Sequence, residues 1–185
     1  MKIIARIHND FPTKFGIPHQ SNRLEALKAT IVFEKEYRVW EAFRGLEEYS
    51  HIWLIWQFSE AVRDKWSPTV RPPRLGGNVR MGVFATRSPF RPNNIGLSSV
   101  KLEKVVKDPD LGPVLCISGA DLMDGTPIYD VKPYLPYVDS HPEATGGFTD
   151  QIEDYRLEVD FPEELLVQIP EGQREALMEV LANDP

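Results

Sequence analysis

Two arginines in a run rich in proline and small polar residues form the most chemically informative pattern in this sequence. From Gly82 to Gly96 the chain reads GVFATRSPFRPNNIG, with Arg87 and Arg91 four positions apart. The two prolines of this run disfavour helix for the residues before them, so we expect an extended segment whose guanidinium groups project to one side. Paired guanidinium groups bind carboxylates and phosphates. The run therefore predicts an anion site; the alternative is an irregular connection whose arginines pair with acidic residues elsewhere.

A second segment, residues 117–134, places carboxylates next to small residues. It reads ISGADLMDGTPIYDVKPY, and the small residues at 118–120 mark a strand end where a ligand can approach the backbone. Asp124 and Gly125 form a tight-turn signal that leads into another strand. Asp121 and Asp130 are then available as hydrogen-bond acceptors or general bases.

Positive charge is concentrated in one stretch of an acidic chain. The net charge is −7, yet residues 65–101 contain seven basic residues and no Asp or Glu, so +7 in this stretch leaves −14 for the rest. The basic residues are Lys65, Arg71, Arg74, Arg80, Arg87, Arg91 and Lys101. Arg71-Pro-Pro-Arg74 followed by Leu-Gly-Gly predicts a rigid basic loop that lets a ligand approach the backbone. Such segregation is typical of a nucleic-acid or phosphate site; a solvated surface turn is the alternative.

Short apolar stretches separated by turn residues predict a mainly β protein with minor helices. Candidate strands are 2–7, 29–33, 51–58, 79–85, 97–106, 114–119, 127–131 and 155–161. The run Ile52-Trp-Leu-Ile-Trp56 is apolar without alternation, which predicts a core strand covered on both faces.

Helical signals are confined to three places, Trp40–Tyr49, Ala61–Lys65 and Gly172–Ala182. Residues 141–149 combine Pro, Gly and Ser and precede an acidic tail. We expect a core domain over 1–145, with 146–185 forming a strand and a helix that pack on it.

Composition excludes several classes of protein. Hydrophobic residues make up 42% of the 185 positions, too many for a disordered chain. The single cysteine, Cys116, allows no internal disulfide, and with four histidines it offers no structural zinc cluster, so we expect no metal. Neither a signal-peptide core nor a membrane-length apolar run is present, which predicts a cytoplasmic protein.

Three runs of the sequence resemble the TsaA/TrmO-like family. They are Trp66–Asn78, Arg80–Asn93 and Asp124–Pro136, and the similarity extends over nearly the whole chain. The resemblance implies an S-adenosylmethionine-dependent methyltransferase that acts on N6 of threonylcarbamoyladenosine at tRNA position 37. It also implies a homodimer and a small β-barrel rather than a doubly wound methyltransferase sheet, in agreement with the absence of Gly-x-Gly-x-x-Gly.

By motif position, the resemblance implies cofactor contacts from several separate loops. These fall on Pro18, His19, Gln20, Ser59, Glu60, Arg87, Leu97, Ser118, Gly119, Ala120 and Asp121. The chain departs from the family pattern at His19, where arginine is usual, and at Ser59, where histidine is frequent.

The implied reaction needs a proton acceptor and a surface for RNA. The N6 lone pair is delocalised, so removal of its proton assists attack, and Asp121, Asp130 and Glu60 are candidates. Arg71, Arg74, Arg80, Arg91 and Lys132 are expected to hold the phosphates of the anticodon stem-loop.

Two other functions fit the same residues. One is a non-catalytic RNA-binding protein that uses the same basic loops, and the other is an enzyme for a nucleotide ligand without RNA. We also expect that members of this family continue into a further segment beyond Pro185 and that this segment widens the RNA surface.

Overall fold

The computed structural model describes residues 1–14, 16–18, 20–21, 24–151 and 156–183. Six strands form a closed antiparallel barrel. They are β1 (Ala5–His8), β2 (Lys28–Phe33), β3 (His51–Gln57), β6 (Ile95–Asp108), β7 (Gly112–Ser118) and β8 (Pro127–Pro133). Their order around the barrel is β1-β2-β7-β6-β3-β8. A separate two-stranded hairpin, β4 (Thr69–Val70) with β5 (Met81–Gly82), lies between β3 and β6 in the chain. The prediction of a small β-barrel is confirmed.

The core lies inside the barrel because alternate residues of each strand point inward. In β3, Ile52, Leu54 and Trp56 are buried, while Trp53 and Ile55 are only partly so. The expectation of a core strand covered on both faces is therefore met in full only on the inner face. The outer face of β3 is only partly sheltered: the Trp53 Nε1 atom donates to Asp139 Oδ2 at 3.0 Å.

Helices are few and mostly short. Single 3-10 turns cover Lys35–Tyr37, Trp40–Phe43, Leu46–Glu48, Ser59–Ala61, Pro73–Leu75, Val83–Ala85 and Gly147–Gln151, and the α-helices are α1 (Pro136–Asp139), α2 (Glu163–Leu166) and α3 (Glu171–Ala182). Helix α3 confirms the prediction for 172–182. The predicted helix over 40–49 is broken into turns because Gly45 adopts a positive φ of 84°. The prediction for 61–65 is wrong, since Val62 is already extended.

Two strand predictions also fail. Only Met81 and Gly82 are strand within 79–85, because the chain turns into a 3-10 helix at Val83. Tyr155 lies outside the described residues, and 156–161 form no strand. There the Leu157 N–H donates to the carbonyl oxygen of Ala182 at 2.8 Å, at the end of α3, instead of to a neighbouring strand.

The tail contacts the rest of the molecule through α3. Val180 of this helix is buried with Leu24 and Leu27, and Phe11 packs against them. No described helix has the length and apolar character needed to cross a membrane.

Candidate active site

A cleft of about 770 Å³ opens at one end of the barrel. It forms there because antiparallel pairing of β3 with β6 brings the last residues of β3 beside the first of β6, with Trp56 opposite Gly96 and Gln57 opposite Ile95. The walls are completed by the loop over 86–91, by residues after β7, and by Lys14, Ile17, Pro18 and Gln20. The lining mixes aromatic and aliphatic side chains with a few charged groups, as expected of a binding site for a small organic ligand.

A hydrogen-bonded chain runs from the barrel core to the cleft. The buried Trp56 Nε1 atom donates to Ser98 Oγ at 2.9 Å, and Ser98 Oγ donates to Asp121 Oδ1 at 2.6 Å. Gly96 makes this arrangement possible, because a Cβ at that position would lie 2.2 Å from the Trp56 ring. The sequence predicts Asp121 as a site residue but not Trp56 and Ser98, whose only signal is their place on neighbouring strands.

Asp121 is held in an unusual electrostatic environment. Burial raises the pKa of its carboxyl group above the ordinary aspartate value. The hydrogen bond from Ser98, backbone N–H groups including that of Ser21, and the charge of Arg87 act in the opposite direction. A half-buried carboxylate with a raised pKa and a fixed orientation is suited to accept a proton from a ligand.

Arg87 lines the same cleft and is oriented by a neutral partner. Its Nη1 atom donates to Gln20 Oε1 at 2.5 Å. Pro18 and Gln20 both belong to the lining, whereas His19 lies outside the described residues. The arginine is therefore positioned beside Asp121 without a direct ion pair to an acidic side chain among the described residues.

Three more predicted cofactor residues reach the cleft. Ser59 and Glu60 begin the 3-10 helix that follows β3, and Leu97, which is 55% exposed, projects from the start of β6. Glu60 thereby joins Asp121 as a carboxylate in the cleft.

Ser118, Gly119 and Ala120 lie behind the lining instead of in it. Ser118 is fully buried, and its Oγ donates to Glu103 Oε1 at 2.7 Å. Gly119 takes a positive φ of 74°, which glycine adopts without strain, and its N–H donates to the Leu27 carbonyl. These residues turn the chain after β7 and so direct Asp121 into the cleft.

Asp130 and Lys132 lie on the outer face of the barrel. They are two positions apart on β8, and Lys132 Nζ is 3.0 Å from Asp130 Oδ2. Asp130 is paired in register with Ile55 and Lys132 with Trp53, both outward residues of β3. The structure therefore does not bring the second candidate base to the cleft.

The predicted RNA-binding arginines lie on and beside the β4–β5 hairpin. Arg71 and Arg80 are exposed in the connection between its strands; Arg74 belongs to the same connection. Arg91 is used differently, since its Nη1 atom donates to the carbonyl oxygens of Val83 at 3.0 Å and Thr86 at 2.7 Å while the residue lines the cleft. The hairpin thus presents cations next to the cleft, and Arg91 stiffens the loop between them.

Two further cationic residues of the lining, Lys14 and Arg63, were not predicted. The Arg63 guanidinium carbon lies 3.7 Å from the centre of the Phe90 ring. Arg63 falls just outside the acid-free stretch, so charge segregation could not identify it. Among the described residues, no cluster of His, Cys, Asp and Glu is arranged to hold a metal ion.

Comparison with known proteins identifies the relatives of this chain. Residues 6–140 match the family model of the tRNA-methyltransferase O N-terminal domain. A tRNA (adenine(37)-N6)-methyltransferase of Escherichia coli is 40% identical over 98% of this chain and 80% of its own length. A relative from Pseudomonas aeruginosa, named as an S-adenosylmethionine-dependent methyltransferase, is 42% identical over 98% of this chain and 79% of its own.

Solved structures show the same fold. A crystal structure of TrmO from Pseudomonas aeruginosa superposes with a TM-score of 0.78 at 34% identity, and the match covers 100% of this chain and 81% of the other. Because the family model spans most of the barrel and the relatives align over almost the entire chain, this chain belongs to the tRNA-methyltransferase O family.

Proposed function

We propose that this chain transfers a methyl group from S-adenosylmethionine to N6 of threonylcarbamoyladenosine at position 37 of tRNA. The observation that carries the proposal is the placement of Asp121 and Arg87 together in an aromatic cleft of a chain from a tRNA methyltransferase family. The relatives' names support the adenine at position 37 and the methyl donor. The threonylcarbamoyl group rests on the motif resemblance.

The cleft has the chemical groups that this cofactor needs. Trp56, Phe58 and Leu97 offer apolar and aromatic surface for an adenine ring and a sulfonium. Arg87 offers a guanidinium for a carboxylate, and Gln20 holds that guanidinium in place. The cofactor, when bound, supplies an activated methyl group, so the protein mainly has to align donor and acceptor.

Asp121 is the group that assists the acceptor. N6 of the modified adenine carries one hydrogen, and its lone pair is delocalised into the purine and the carbamoyl group. Asp121 accepts that proton as the new C–N bond forms and the bond between the methyl carbon and the donor sulfur breaks, which leaves a neutral thioether. The Ser98 hydroxyl fixes the direction of the carboxylate. A raised pKa makes the carboxylate a stronger base than an exposed aspartate.

RNA is held by the cations of the hairpin. Arg71, Arg74 and Arg80 lie on the connection between β4 and β5, next to the loop that carries Arg87. Phosphate contacts of this kind position a stem-loop without reading its sequence. The active form is a homodimer, and it acts in the cytoplasm, where its tRNA substrate is found.

The decisive experiment is methyl transfer from labelled S-adenosylmethionine to tRNA with and without threonylcarbamoyladenosine, followed by nucleoside mass spectrometry. Transfer only to the modified tRNA is the expected result. Transfer to unmodified adenosine would refute the substrate, and no transfer to either tRNA would refute the activity.

The two aspartates provide a matched pair of variants for the same assay. Asp121→Asn should lower the rate about 10²- to 10⁴-fold, the usual contribution of a general base. Asp130→Asn, on the outer face of the barrel, should leave it unchanged. Equal effects of the two substitutions would remove Asp121 from the chemistry.

Cofactor binding is tested separately by calorimetry. Arg87→Ala should weaken S-adenosylmethionine binding by about 1.5–3 kcal/mol, the contribution of a hydrogen bond to a charged group. Arg80→Ala, in the exposed hairpin connection, serves as the control and should bind normally. Sedimentation of the wild-type protein tests the homodimer.

A further inference from the structure

Two aromatic side chains form an exposed stack at the base of the β4–β5 hairpin. The rings of Trp66 and Phe84 lie 5.9 Å apart, centre to centre, with their planes 26° from parallel. Trp66 is 48% exposed and Phe84 is 70% exposed. Large aromatic rings normally bury their surface, so a stacked pair left in solvent indicates a surface that meets a partner.

The stack is fixed to the rim of the cleft. The Arg91 guanidinium carbon lies 5.5 Å from the centre of the Phe84 ring, and Arg91 itself lines the cleft. The Val83 N–H donates to the Pro68 carbonyl at 3.0 Å, which ties the segment between Trp66 and β4 to the residue before Phe84. A ligand that enters the cleft past Arg91 therefore passes beside Phe84, on which Trp66 is stacked.

The charge around the stack selects the class of partner. The stretch from Lys65 to Arg91, which contains both rings, has six basic residues and no acidic one. The core of a protein interface is usually depleted of charge, and two copies meeting here would oppose like charges. Aromatic rings among cations are instead the recognition surface of single-stranded nucleic acid, where bases stack on the rings and phosphates contact the cations.

We propose that Trp66 and Phe84 form a stacking platform for the unpaired nucleotides next to the adenine that enters the cleft. The inference rests on the proposed function, because it takes the anticodon loop of tRNA as the ligand. The basic residues of the hairpin hold the backbone, and the platform holds the bases. The loop is thereby kept open while one adenine is inserted.

The test measures binding of an unmodified anticodon stem-loop RNA to the full chain. Phe84→Ala and Trp66→Ala should each weaken binding about 5- to 150-fold, the range for loss of one base–aromatic stack. Phe84→Trp and Trp66→Phe should restore it, because they keep a stacking face. Tyr137→Ala removes an aromatic side chain that is 85% exposed on α1, outside the cleft lining, and should bind like the wild type.

Salt dependence separates stacking from phosphate contact. Loss of a ring releases no counterions, so the slope of log K against log salt should stay at the wild-type value in both alanine variants. Thermal unfolding of each variant establishes that the fold is retained. A changed slope or an unchanged RNA affinity would overturn the proposal. A weakened RNA affinity that appears only when sedimentation shows loss of the oligomer would also overturn it, because the stack would then be a contact between copies of the chain.

The RNA-binding measurements can fail or succeed separately from the methyl-transfer assay. If the wild-type protein transfers no methyl group but RNA binding depends on both rings, the proposed function fails and the platform stands. If methyl transfer proceeds and both alanine variants bind RNA normally, the platform alone fails.

Discussion

Replacing Gly96 by alanine tests how the barrel positions the candidate base. The added Cβ would lie 2.2, 2.4 and 2.6 Å from Cε2, Cζ2 and Cδ2 of Trp56, whereas unstrained carbon atoms stay about 3.5–4.0 Å apart. The backbone at Gly96 is not left-handed, so the strain comes from this overlap alone. Trp56 must move, because the overlap is with a rigid indole ring inside the barrel.

Two costs follow from that movement. Overpacking of a buried side chain costs about 1–3 kcal/mol. Loss of the bond from Trp56 Nε1 to Ser98 Oγ leaves a buried donor unpaired, for about 1–3 kcal/mol more. We expect Gly96→Ala to lower the free energy of unfolding by about 2–6 kcal/mol, the sum of these two ranges.

Urea unfolding followed by tryptophan fluorescence measures this difference. Gly82→Ala is the control, because Gly82 has a φ of −59° and no atom within 4 Å of an added Cβ. It should change stability by less than about 1 kcal/mol. The same Gly96 variant should also transfer methyl groups more slowly, since Ser98 would no longer be held against Asp121. A Gly96→Ala protein within about 0.5 kcal/mol of the wild type would refute the packing argument.

Three further predictions concern charge. Burial raises the pKa of Asp121, so the folded state binds this proton more tightly than the unfolded state, and the wild-type protein loses stability as the pH rises through the pKa of the folded state. Asp121→Asn lacks this titration, so its urea midpoint should rise relative to that of the wild type as the pH increases. Hydrogen bonds from Ser118 and then Lys28 lower the pKa of Glu103, so the stability that Glu103 contributes is present above the pKa of an unfolded glutamate and is lost as the pH falls. In acid unfolding curves, Glu103→Gln should therefore lose less stability than the wild type. Neutralising Arg71 and Arg74 together should reduce the salt slope of tRNA binding by about one to two units with cofactor affinity unchanged, and an unchanged slope would place the RNA on another surface.

The sequence determined most of the barrel because its strands carry a local signal. β2, β3 and β7 are short runs of alternating or concentrated apolar residues, rich in β-branched and aromatic side chains and bounded by turn residues, a combination that favours strand over helix. Helix α3 was predicted for the same reason, with apolar residues at helical spacing. The concentration of basic residues over 65–101 and the motif around Arg87 are likewise visible in the sequence alone.

The failed predictions share a different cause. Residues 79–85 and 156–161 contain strand-forming side chains, yet strand structure also requires a neighbouring edge with free backbone groups. Beyond Met81 and Gly82 the first segment turns into a 3-10 helix, and in the second Leu157 pairs with the end of α3. Availability of an edge is a property of the whole fold, so residue preference could not reveal it.

The choice between candidate bases was decided by tertiary structure alone. Asp121 and Asp130 stand nine positions apart in one segment, and nothing in their neighbours separates them. Closure of the barrel turns Asp130 outward beside Lys132, while the bend after β7 places Asp121 under Ser98 and next to Arg87. Ser98 comes from β6 and Arg87 from the loop before β6, while Trp56, which donates to Ser98, comes from β3. Alternation along a strand determines only which residues share a face. The pairing of strands that are distant in the sequence determines which of the two faces lines the cleft.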